Sequence, residues 1–290
     1  MPEAIKDKIL TLPDGRVMGY CEYGDPMGMP VLFCHGYPAS RLQATLTQSI
    51  AKQTGLRIVS ADRPGFGLSD PLPGRNLLDW PRDVTVLLDA LGLERVAVLG
   101  VSGGGPYAMA CGYALAARVS TVSVICGLAP LSAQGVLAHT NWLAWPSYFL
   151  ARRAPLVLRT LHTLIILSIL RPHPERLLRW TMSGSVADRK ILERKDILVQ
   201  ITASMQESIR QGVTGVTSEF QLFARDWGFN LSGIQVPVHL WQGDRDTTVP
   251  LYHARYLAEV LPNATLTIVP GEGHFSLPIV HMAAILKELI

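Results

Sequence analysis

Cysteine is scarce in this chain: Cys21, Cys34, Cys111 and Cys126 are the only four among 290 residues, and no two stand in C-x-x-C spacing. No disulfide framework or redox motif is legible, and Cys34, Cys111 and Cys126 read as small buried apolar residues of strands or helices. The setting this implies is reducing and cytoplasmic. A block of like charge is missing too. The 26 basic and 23 acidic residues leave a net charge of +3 and are scattered, so nothing tracks a phosphate backbone and nucleic acid is not an expected partner. Residues 1–8 hold no apolar core and no small-residue cleavage site, so no secretion signal is read there. The uncharged stretch 119–151 is broken by Gly127, Pro130, Gly135 and Pro146 and by polar residues, which argues against a membrane-spanning helix. Internal repeats, a metal-ligand cluster, a Rossmann glycine fingerprint and a Walker motif are all absent, so no cofactor is expected.

What is present is apolar residue, 48% of the chain, enough for one large domain or a core carrying an inserted cap. Short β-branched runs alternate with helical stretches, the pattern of a parallel sheet covered on both faces. Strands are predicted at 9–12, 17–23, 30–34, 57–61, 95–101, 121–126, 236–241 and 265–269, the first two joined through Asp14-Gly15 as a hairpin. Helices are predicted after Ser40, over 77–91, 104–117 and 251–261, and from Pro278 to the end. The rhythm stops between about Pro130 and Leu231, where helical patterns occur without a convincing strand. The division that follows is a core of residues 1–130 and 232–290 and a helical cap of residues 131–231. Within the cap, residues 156–170 are nearly all apolar. They read as a helix packed on the core, with an acyl-binding wall or a membrane-facing surface as the alternatives.

The chemistry-bearing segment is Gly100-Val101-Ser102-Gly103-Gly104, a G-x-S-x-G pentapeptide between the apolar run 96–99 and an Ala-rich helical stretch. Such a strand-to-helix turn exposes a serine hydroxyl as a nucleophile, and the flanking glycines leave room for a backbone that a Cβ would block. A serine nucleophile needs a base, and the base needs an orienting acid. Of eight histidines, His274 lies in Gly271-Glu272-Gly273-His274-Phe275 after the last strand. His35 reads as a loop-fixing residue, and the others fall within the cap, a strand or helices. For the acid, Asp244 and Asp246 compete in the loop after the seventh strand. Three residues after Gly243 and four before Pro250, Asp246 is favoured, which leaves Asp244 a loop or capping group near Arg245. The oxyanion of acyl transfer needs N–H donors, assigned to Gly103 and, in His35-Gly36-Tyr37-Pro38, to Tyr37, since Pro38 has none.

With these motifs in order, together with Asp62-Arg63-Pro64-Gly65-Phe66-Gly67-Leu68-Ser69, the chain resembles the α/β-hydrolase superfamily over nearly its whole length. The resemblance implies an α/β fold with a mostly parallel eight-stranded sheet, helices on both faces and a cap inserted after the sixth strand. It also implies a structural role for residues 62–69. Epoxide hydrolases and haloalkane dehalogenases share the His-Gly-x-Pro loop but carry aspartate where Ser102 stands. The elbow is unlike that of proline iminopeptidases, and the three-glycine oxyanion loop of hormone-sensitive-lipase-like enzymes is missing. A carboxylic-ester hydrolase remains, acting on a small ester with an apolar acyl group. Thioesterase, lysophospholipase, lactonase and carbon-carbon hydrolase chemistry on the same triad are near neighbours, and a small-ligand receptor on the same fold is the rival from another class. Either a monomer or a homodimer is compatible with the sequence.

Overall fold

Short extended runs of four to eight residues pair laterally, and here they form one sheet whose inner strands are largely buried and whose two edge strands are partly exposed. The computed structural model describes residues 6–141, 145–181 and 184–290. Its strands are β1 (Lys8–Thr11), β2 (Val17–Gly24), β3 (Met29–Cys34), β4 (Leu56–Ala61), β5 (Val96–Val101), β6 (Val119–Ile125), β7 (Val238–Gly243) and β8 (Ala264–Val269). They lie in the order β1-β2-β4-β3-β5-β6-β7-β8. β1 and β2 form the expected hairpin, β2 also runs antiparallel to β4, and every other neighbour is parallel. All six residues of β5 are buried, which is why the sequence there shows a continuous apolar run instead of alternation.

Side chains of a strand point alternately to the two faces, so each strand feeds two cores. Leu32 and Cys34 join one core with α2 (Asp79–Ala90), α3 (Gly105–Ala114) and α10 (Tyr252–Val260). Val31 and Phe33 join the other, with α1 (Gln48–Gln53) and α12 (Met282–Lys287). Two helices differ from expectation. The segment after Ser40 is first a 3₁₀ turn, Arg41–Thr47, before α1. The C-terminal helix begins at Ser276, not Pro278, and is split at His281 into α11 (Ser276–Val280) and α12. Proline is accommodated there because first-turn N–H groups have no intrahelical acceptor.

Between β6 and β7 the described residues contain helices and no strand: α4 (Trp145–Arg153), α5 (Pro155–Ile165), a π-helical turn (Ile166–Leu170), α6 (Pro174–Thr181), α7 (Val186–Glu193), α8 (Lys195–Ser208) and α9 (Thr214–Phe223). The apolar segment 156–170 buries Leu158, His162, Ile166 and Leu170 at a four-residue spacing and leaves Leu156, Val157, Leu164 and Leu167 exposed. None of the helices among the described residues is long and apolar enough to cross a membrane. α4, α5 and α9 join the main core through Tyr148, Leu158 and Phe223, while Leu178, Leu192, Ile201 and Met205 close a smaller core of their own.

Two buried charge networks fasten these helices to the sheet. Glu219 on α9 is wholly buried and receives Arg63, Arg75 (2.7 Å) and the Tyr107 hydroxyl (2.7 Å). Arg41 bridges buried Asp62 (2.7 Å) and Glu207 of α8 (2.8 Å). Asp62 also accepts the N–H groups of Arg41 and Leu68, and a Cβ on Gly67 would overlap its carboxylate. Residues 62–69 are thus tied into a fixed loop.

Candidate active site

β5 is central in the sheet, and the turn at its carboxyl end carries Ser102 into a 3₁₀ turn, Ser102–Gly104, that leads into α3. Ser102 has φ 55°, in the left-handed region that costs a non-glycine residue about 1–3 kcal/mol. The flanking glycines are required by contact. A Cβ on Gly104 would stand 2.0 Å from the Cys34 carbonyl oxygen, and one on Gly100 would stand 2.7 Å from the Gly104 carbonyl oxygen. The turn is therefore over-determined by its surroundings, and strain at Ser102 persists because nothing around it can give.

The Ser102 hydroxyl donates to His274 Nε2 at 3.0 Å, and His274 Nδ1–H donates to Asp246 Oδ2 at 2.8 Å. An ionised carboxylate can only accept, so the proton sits on Nδ1 and the Nε2 lone pair faces the serine. Asp246 is buried and held by the N–H groups of Thr248 (2.9 Å) and Val249 (2.8 Å) and by the Gln242 amide (3.1 Å). Asp244 stands apart: it accepts the Gly271 N–H at 2.7 Å and so links the β7 and β8 loops. Burial pulls the His274 pKa down, but the charge and hydrogen bond of Asp246, joined by the charge of Asp188, outweigh it and hold it above the ordinary histidine value. Cys126, just past β6 with φ 50°, lies beside Asp246 and His274. Burial and then Asp246 push its thiol pKa well up, so it stays protonated. One ligand-type atom from each of these three residues lies within 4.8 Å of the others, and the His274–Asp246 contact among them is the hydrogen bond just described.

Gly103 and Tyr37 are neighbours across the elbow: a Cβ on Gly103 would stand 2.7 Å from Tyr37 Cβ and 3.3 Å from Tyr37 N. The Tyr37 ring packs edge-on against Phe223, and its hydroxyl donates to the Val216 carbonyl at 3.1 Å, so α9 holds this loop. His35 is wholly buried, with Nδ1 at 3.0 Å from the Gly36 carbonyl and Nε2 accepting the Arg63 N–H. Burial, reinforced by Arg63, lowers its pKa well below the usual value, so it is a neutral loop brace.

Ser102 and His274 open into a cavity of about 770 Å³, counting its mouth. Its walls are largely apolar: Leu46 and Val101 from the core side, Leu178, Ile201 and Met205 from α6 and α8, and Ile279 from α11. Sequence reasoning missed Gln242, Glu219 and Asp188. The only local signal among them was Ser185-x-x-Asp188, which reads as a helix capping box.

A family described as alpha/beta hydrolase fold matches residues 29–278. A non-heme haloperoxidase of Rhodococcus erythropolis is 26% identical over 273 residues, spanning 91% of this chain and 92% of that protein. A non-heme chloroperoxidase of Streptomyces lividans is 32% identical over 124 residues, 42% of this chain and 45% of that one. Among solved structures, a thermophilic esterase from Thermogutta terrifontis superposes with a TM-score of 0.72 at 18% identity, covering 99% of this chain and 97% of the other.

Proposed function

The chain belongs to the α/β-hydrolase superfamily, and from that premise we propose that it is a serine hydrolase of carboxylic esters working through an acyl-Ser102 intermediate. The observation that carries this reading is the continuous hydrogen-bonded chain, Ser102 to His274 to Asp246, opening into an apolar cavity. His274 Nε2 takes the serine proton as Oγ attacks the ester carbonyl, and then gives it to the departing alcohol. Water loses a proton to the same nitrogen, attacks the acyl-serine, and the proton returns to Ser102 as the acid leaves. Asp246 keeps the imidazole in the Nδ1–H tautomer and stabilises the imidazolium. The N–H groups of Gly103 and Tyr37 receive the oxyanion; a single such donor is worth about 10²- to 10³-fold in rate. Residues 131–231 act as the cap in this scheme, since α6 and α8 supply one wall of the cavity. A pocket that only held a ligand would have no use for an imidazole hydrogen-bonded at one nitrogen to a serine and at the other to a buried carboxylate, which favours turnover over a receptor role.

The apolar walls lead to a preference for medium acyl chains over acetyl. With roughly 0.8 kcal/mol per buried methylene, kcat/KM on p-nitrophenyl esters should rise about fourfold per carbon beyond acetyl until the cavity is filled. A rate that falls steadily from two carbons to twelve refutes this preference. Thioesters of the same acyl groups, run in parallel, separate esterase from thioesterase.

The pH dependence follows from His274. Only its unprotonated form accepts the serine proton, so activity rises with pH through the His274 pKa. Because that pKa is raised, the acid limb of kcat/KM should lie above the ordinary histidine value of about 6.5. Asp246→Asn removes the charge that raises it and should shift the limb down while lowering kcat by about 10⁴-fold. A wild-type limb below about 6.5 overturns the assignment.

A further inference from the structure

Asp188 lies in the first turn of α7 in the cap, is wholly buried, and makes no salt bridge to a Lys or Arg among the described residues. Its carboxylate instead accepts three consecutive backbone N–H groups of the His274 loop: His274 at 2.9 Å on Oδ2, and Phe275 at 2.8 Å and Ser276 at 2.9 Å on Oδ1. Its own N–H donates to Ser185 Oγ at 2.9 Å, which locks the carboxylate in place. Gly273 is shaped to this contact. A Cβ there would stand 2.2 Å from Asp188 Oδ2 and 2.3 Å from Ser185 Oγ, so only glycine lets the cap carboxylate approach. The neighbouring loop is contacted as well, since a Cβ on Gly184 would overlap the Thr247 hydroxyl.

We propose that Asp188 is a positioning residue through which the cap sets the orientation and protonation of His274. It holds the backbone of residues 274–276 and supplies a second negative charge beside the imidazole. This inference rests on His274 being the base of the reaction proposed above. Three N–H donors converging on one carboxylate make charge-assisted hydrogen bonds with its anion, and a charge in a dry site acts at longer range than one in water. The ionisable groups facing His274 are Asp246 from the β7 loop, Cys126 from the end of β6 and Asp188 from α7. With Cys126 protonated, the two carboxylates supply the charge that favours imidazolium. Formation of that imidazolium accompanies every proton transfer in the cycle. Seating of the cap and readiness of the base are thereby one event.

The test is Asp188→Asn, which keeps the volume but removes the charge and turns an amide toward N–H donors. Two measurements are made on the full chain: steady-state ester hydrolysis with active-site titration by a fluorophosphonate, and NMR titration of the His274 imidazole. The expected result is a loss of kcat of about 10- to 100-fold with KM nearly unchanged, and an imidazole pKa lower than in the wild type. An Asn variant that titrates like the wild type overturns the proposal, whether or not its unfolding midpoint falls, because Asp188 is then only a structural brace. Should Asp188→Asn not fold, Gly273→Ala displaces the carboxylate without removing it and should lower the imidazole pKa in the same direction. An unaltered titration there overturns the proposal equally. If the wild type neither labels nor hydrolyses, it is the serine-hydrolase reading that fails, and the NMR titration still reads the effect of Asp188 on its own.

Discussion

Ser102→Ala should lower ester turnover by roughly 10⁴- to 10⁶-fold and abolish covalent labelling by a fluorophosphonate, with the unfolding midpoint close to that of the wild type. The size of the loss follows from what the hydroxyl does. Without Oγ no acyl-enzyme forms, and His274 is left with only water to activate, in a site built to place a serine. The small effect on stability has an equally specific cause. Alanine at φ 55° carries the same Cβ as serine, so the strain of the elbow is unchanged, and among the described residues the hydroxyl makes only the single bond to His274 Nε2. Labelling that persists in the variant places the nucleophile elsewhere and removes the basis of the proposed reaction.

Glu219→Ala should destabilise the protein by about 3–5 kcal/mol, the range observed when one member of a buried ion pair is removed. Glu219 is wholly buried and neutralises two buried guanidinium groups, Arg63 and Arg75, while also accepting the Tyr107 hydroxyl. Truncation leaves both cations without a counter-charge. The Nε atoms of Arg63 and Arg75 already lack a hydrogen-bond partner among the described residues, so there is little spare hydrogen bonding to absorb the change. Arg63 in turn donates to the carbonyls of His35 and Gly36, next to Tyr37, so loss of Glu219 should loosen the Tyr37 loop, the proposed source of one oxyanion donor, as well as α9. Equilibrium denaturation checks the first effect, and kcat measured well below the unfolding midpoint checks the second. A variant within 1 kcal/mol of the wild type would mean that the network contributes little and that α9 is held by its apolar contacts.

Much of the fold and of the candidate site is legible locally. Ser102, Asp246 and His274 each sit in a loop directly after an apolar run, and glycines beside them mark turns that crowd a Cβ. Such signals span fewer than ten residues, and they act before any long-range contact is made. The hairpin at Asp14-Gly15 and the buried run of β5 are legible for the same reason. Asp188 is not: in sequence it looks like a helix cap, and its carboxylate reaches a loop 86 residues away. Glu219 reads as one more charge on a helix between β6 and β7, until folding places it among Arg63, Arg75 and Tyr107. Gly273 is visible as a glycine, but the reason for it lies in α7 and not in its own backbone angle.

By itself, then, the sequence determined the strand-helix alternation, the order of the motifs and the residue types at the elbow and in its partner loops, because periodicity and turn chemistry are properties of neighbouring residues. Only the tertiary structure decided which buried charges meet, which helices wall the cavity and which side chain meets the backbone of the His274 loop. Those depend on how helices far apart in sequence pack over the sheet, where the partner of a buried carboxylate is set by distance in space.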